Sequence, residues 1–114
     1  MICLGEGVPE DNDRGMEHHV YFWLKEENKN EADRAAFEQG LDALLKIETI
    51  ASGMWGAPSA TPERPVTDKS FDYAISLRFD SIEQHNIYQD HPEHHVFVDA
   101  FKDLWAAVKV MDVG

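Results

Sequence analysis

From Met16 the segment MEHHVYFWLK alternates at period two, with His18, Val20, Phe22 and Leu24 on one side and His19, Tyr21 and Trp23 on the other. A strand that is apolar on both sides needs two covers; helices can supply one and a second subunit the other. ENKNEADRAAFEQGLDALLKIE reads as a helix, with Asn28 or Asn30 as its cap, Glu31 and Asp33 at its positive end, and Phe37, Leu41, Leu44 and Leu45 as its apolar stripe. Gly40 in its middle costs about 1 kcal/mol against alanine, which points to close packing or to room left for something. IETIASGMWG predicts a second strand broken at Gly53, and the proline-rich APSATPERPVTDKS an exposed excursion. FDYAISLRFD alternates cleanly, placing Phe71, Tyr73, Ile75, Leu77 and Phe79 on one face. Ser81 and Gln84 have capping-box spacing before a short helix. Pro92 suits the first position of another helix, whose inner stripe is Phe97, Ala100, Phe101 and Leu104. AAVKVMDVG closes as a strand.

The order is therefore βαββααβ, which predicts a ferredoxin-like α+β sandwich: a four-stranded antiparallel sheet with helices on one face. The apolar open face predicts a homodimer joined sheet to sheet. Residues 1–15 show no periodicity and read as a tail ahead of a single domain at 16–114. An alternative translation start at Met16 would account for them simply.

Composition narrows the partners. The chain has 114 residues, 22 acids and 10 bases, a net charge of −12. Such a chain repels phosphate, so neither nucleic acid nor an anionic membrane is an expected partner. Cys3 is the only cysteine, which excludes an internal disulfide and a thiolate metal cluster. The start lacks the basic and apolar segments of a signal peptide, and the longest apolar run, Val20 to Leu24, is too short to span a bilayer. A cytoplasmic location is expected.

The candidate chemistry lies in QDHPEHHVFVDAF, where His91, His94 and His95 crowd together. His91 precedes Pro92 and sits at the helix end. His95 falls on the solvent side with Asp99 four residues on. A metal held by this tract would need a third ligand from His18 or His19 on the first strand, so none is expected. His94 points inward, three residues before Phe97, where burial and the helix dipole both favour the neutral ring that a general base requires. Tyr88 can reach the same region, and so can His18 if its face is the covered one. Val20, Phe22, Phe97 and Trp105 would line the space between, an apolar pocket with a few convergent polar groups. The plainer alternative makes His18 and His94 core histidines bonded to backbone, with Tyr88 as a structural rim.

The strand pattern H-x-V-x-F-x-L-K at His18 to Lys25 is followed by Trp55–Gly56, by Phe79–Asp80–Ser81, and by Y-x-x-HPxH at Tyr88, His91, Pro92 and His94. Together these resemble the stress-responsive A/B barrel family over residues 16–113. The resemblance implies a dimeric α+β barrel made from two sheets packed face to face. It extends at a distance to olivetolic acid cyclase, which condenses a polyketide without a cofactor. By that likeness His94 is the general base, Tyr88 holds the developing oxygen charge, and His18 completes the polar set. Val20, Phe22, Gly40, Phe97, Trp105 and Val108 would then contact the substrate. A tyrosine of the cyclase falls at Gly40 here, so the resemblance implies a roomier pocket and a different substrate. No cofactor is implied.

Three functions follow as expectations. The first is cofactor-independent acid–base catalysis, cyclase- or lyase-like, on a small apolar or carbonyl-containing molecule. The second is a non-catalytic, stress-related binding dimer. The third, by analogy of fold alone, is a cofactor-free monooxygenase.

Overall fold

The computed structural model describes residues 15–114. The expected tail therefore lies outside the described residues, as does Cys3, except for Gly15. That glycine is buried with φ +77°, and a Cβ there would lie 2.7 Å from the Phe79 carbonyl oxygen, so it belongs to the fold rather than to a tail.

The elements run β1 (Met16–Leu24), α1 (Glu31–Leu44), β2 (Ser52–Gly56), β3 (Tyr73–Phe79), α2 (Ile82–Asp90), α3 (Pro92–Phe101) and β4 (Trp105–Val113). All strand pairs are antiparallel, in the order β2-β3-β1-β4. This is the ferredoxin-like α+β fold the periodicities predict. β1 sits between β3 and β4, and its residues Met16, His18, Val20, Phe22 and Leu24 are buried under the helices.

Local chemistry sets the helix starts. Asn30 caps α1 by accepting the Asp33 N–H at 2.7 Å, and Ser81 caps α2 by accepting the Gln84 N–H at 3.1 Å. His91 closes α2, its N–H bonded to the Tyr88 carbonyl, and opens α3 by accepting the Glu93 N–H on Nδ1 at 3.0 Å, with Pro92 in the first turn.

The core centres on Phe37, fully buried, whose ring lies 5.2 Å from Phe22, 5.3 Å from Tyr73 and 5.4 Å from Phe101. Edge-to-face contacts of this kind add about 0.5–1.5 kcal/mol each beyond area burial.

Four expectations are corrected. The second strand begins only at Ser52, because Ile47 to Ile50 make turns, and Gly53 lies within it, paired with Leu77. Phe71 does not continue the buried face of β3. The strand begins at Tyr73, and the Phe71 ring packs instead on Tyr21, 5.3 Å away on the opposite side of the sheet. Ala100 is exposed, because the inward side of α3 runs through His94, Phe97, Val98 and Phe101 at spacings of three and four. Gly40 leaves no vacant room: a Cβ there would stand 2.2 Å from Cε2 of Phe101, so that ring fills the space beside it.

Candidate functional site

β1 delivers His18 from its covered face. Its antiparallel register with β4 sets Asp112 directly opposite, and His18 donates from Nδ1 to the Asp112 carboxylate at 2.6 Å. α2 supplies Tyr88, only 1% exposed, and on the same helical face three residues earlier, His85. α3 supplies His94 from its first turn. The short joint at His91 and Pro92 brings His94 back beside Tyr88, with ring centroids 4.8 Å apart. His18 lies 4.8 Å from His85 and 5.8 Å from Tyr88, so three imidazoles and a phenol share one region.

In front of them opens a cavity of about 330 Å³. Val20, Phe22, Phe97, Val98, Trp105 and Val108 form most of its apolar wall. Ile75 and Val110 add to that wall, and the polar rim comprises His18, His85, Tyr88, Gln89, His94 and Asp112. This volume lies at the lower end of the range in which small-molecule sites occur.

Burial dominates the electrostatics. It lowers the pKa of His18 despite the opposing pull of Asp112, and His85 and His19 lower it further. It also lowers that of His94, with His95 and His18 acting in the same direction. It raises the Tyr88 phenol above its usual range, so that group stays a hydrogen-bond donor. At neutral pH His18 and His94 therefore offer neutral imidazoles beside an un-ionised phenol. Nδ1 of His94, Nε2 of His85 and Nε1 of Trp105 are buried without a partner among the described residues. A buried polar atom left so costs about 1–3 kcal/mol.

Of the residues singled out from the sequence, His18, Tyr88, His94, Val20, Phe22, Phe97, Trp105 and Val108 come together at this cavity. Gly40 does not; it lies against Phe101, away from the wall. His91 caps the helix and meets Glu48 at 3.1 Å, while His95 is exposed. His85 and Asp112 were missed. The first stands three residues before Tyr88 and the second continues the period-two row through Val108 and Val110, so both carried a signal.

The profile of the stress responsive A/B barrel domain matches residues 16–114. No curated protein sequence matches the chain. Among solved structures, the chain is similar to a dimeric ferredoxin-like protein of unknown function from Thermobifida fusca, at 18% identity and a TM-score of 0.71, over 88% of this chain and 90% of that one. A Dabb family protein with a ferredoxin-like fold from Mesorhizobium loti matches at 20% identity and a TM-score of 0.68, over 88% and 96% of the two chains. The hydroxynitrile lyase of Passiflora edulis matches at 15% identity and a TM-score of 0.71, over 86% and 90%. At these identities the likeness is one of fold. Among the described residues no helix is long and apolar enough to cross a membrane.

Proposed function

Because the chain belongs to the stress responsive A/B barrel domain family, we propose that it binds a small carbonyl compound in front of His94 and carries out cofactor-independent, cyclase- or lyase-like chemistry on it. The observation that carries this reading is the cavity itself: an apolar space with a neutral imidazole and an un-ionised phenol side by side on its wall. In the cyclase-like form His94 takes a proton from the carbon next to a carbonyl, and Tyr88 donates a hydrogen bond to the oxygen on which charge develops. The resulting enolate attacks a second carbonyl of the same molecule, forming a carbon–carbon bond, and the proton on His94 returns to the new alkoxide. No oxidant or reductant enters this balance. His18, held by Asp112, faces the same space and can orient the second carbonyl.

A homodimer through the open face of the sheet is part of the proposal. Met54, Met111 and Val113 are exposed outside the helix layer, at 63%, 48% and 57%, and the similar protein from Thermobifida fusca is dimeric. Two sheets packed face to face would cover this surface and make the α+β barrel.

The experiment is a screen of β-polycarbonyl thioesters for condensed products, with His94→Ala as the comparison. Wild-type turnover that falls at least about 100-fold in the variant, with the melting transition preserved, supports the reading. Turnover retained in the variant removes His94 from the mechanism. Binding without product in the wild type favours the second reading, a non-catalytic binding dimer, for which the close packing of Tyr88 against Phe79 and His18 speaks.

A further inference from the structure

We infer that His18, His85 and Asp112 form a binding site for a divalent transition-metal ion in the wall of the pocket. Each offers one ligand atom, and the three atoms lie within 4.8 Å of one another. They come from three different elements, β1, α2 and β4, so the arrangement is fixed by the fold rather than by one flexible segment. The β1–β4 register sets His18 against Asp112, and the turn of α2 that buries Tyr88 brings in His85.

The strongest single observation is His85. Its Nδ1 meets the Asn86 side chain at 3.1 Å, while its Nε2 is buried with no partner among the described residues. His18 Nδ1 engages Asp112 Oδ1, and neither side chain makes a hydrogen bond to that nitrogen. A cation shared by the three would satisfy it. Two imidazole nitrogens and a carboxylate oxygen converging within 4.8 Å are a donor set that such an ion recognises.

The donor set also selects the ion. Two imidazoles and one carboxylate suit Zn²⁺, Co²⁺ or Ni²⁺, whereas Mg²⁺ and Ca²⁺ prefer oxygen donors throughout. Three protein ligands leave a coordination position open, as catalytic rather than structural zinc sites do. All three residues line the cavity, so that position would be reached by whatever the cavity holds. The inference goes beyond the proposed reaction and does not depend on it, since metal binding is read without turnover.

The test is titration of the chelator-stripped full chain with Co²⁺, followed by visible d–d absorption and by calorimetry. One ion per chain is expected. His85→Leu should weaken binding at least about 100-fold, as loss of a ligand costs no less than loss of its supporting shell. His95→Ala and His19→Ala, which alter exposed or half-exposed histidines outside the cluster, should leave binding unchanged. Absence of stoichiometric binding, or His85→Leu binding as tightly as the wild type, overturns the inference. Should His85→Leu fail to fold, histidine NMR of the wild-type chain decides. Co²⁺ must perturb the His18 and His85 ring signals first, and selective perturbation of His91 or His95 instead counts against the site.

Discussion

The layer between helices and sheet has two ends built on opposite principles. Under α1, Phe37 is ringed by Phe22, Tyr73, Phe97 and Phe101, and even the gap beside Gly40 is filled by the Phe101 ring. Under α2 and the start of α3, histidines and a tyrosine replace phenylalanines, and the layer opens into a cavity. The first end derives its stability from tight aromatic packing. The second keeps unpaired polar atoms within an apolar wall, an arrangement that lowers stability and is suited to recognition. The closed end thus supports the open one.

Mutations can break this contrast. The largest effect on stability is expected for Phe37→Ala, at about 3–5 kcal/mol, since the variant leaves a void among rings that cannot collapse onto it; urea unfolding measures it. Gly40→Ala should follow. It forces the Phe101 ring aside at about 1–3 kcal/mol and regains about 1 kcal/mol of helix propensity, so a net loss of up to about 2 kcal/mol is expected. The double variant Gly40→Ala/Phe101→Leu should recover part of that loss. If Gly40→Ala proves stabilising, the closed end is looser than its geometry indicates. Ser81→Ala, which removes the cap of α2, should cost about 1 kcal/mol and loosen the segment bearing His85 and Tyr88.

A smaller effect sharpens the contrast through pH. His18 and His94 both have lowered pKa values in the folded chain, while unfolded histidine titrates at about 6.5. Below that value the unfolded chain takes up protons that the folded chain resists. Their contribution is therefore fully present above about pH 6.5 and is lost as the pH falls toward the lowered folded values. The groups around His94 are His95, His18, His85 and Asp90, of which only Asp90 opposes the shift. The urea midpoint should fall between about pH 7.5 and about pH 5.5, and His94→Ala should flatten that fall. An unchanged slope in the variant would show that His94 titrates as in water.

What the sequence disclosed divides along the same line as its physics. Features set by a few consecutive residues were legible: Asn28 or Asn30, of which Asn30 is the cap, Ser81 as a cap, Pro92 in the first turn, His91 at the joint, and the inward turn of His94 beside Tyr88. The alternation of β1 and β3 likewise sorted their residues onto two faces, while the side of β1 that the helices cover followed only from the packing. Features that depend on how distant segments meet were not. Asp112 becomes a partner of His18 only once the β1–β4 register is known, and Phe101 fills the space beside Gly40 only once α3 is laid across α1. Phe71 obeyed the period of β3 in sequence but lies before the strand begins, so its ring was free to take the other face. His85 lies three residues before Tyr88 on the same face of α2, a relation as local as the caps.

The joint at His91 has a consequence for how the site can change. Tyr88 and His94 stand three residues to either side of one residue that ends one helix and starts the next. Their mutual placement is thus a property of a seven-residue hinge with a fixed angle, much as two blades are set by one rivet. Residues elsewhere on the cavity wall can be exchanged to admit different molecules while this pair keeps its setting. A single residue inserted between Tyr88 and His94 would swing one helix face by about 100° and separate them at once. The pocket is therefore adjustable in shape but not in the relation between its two central groups.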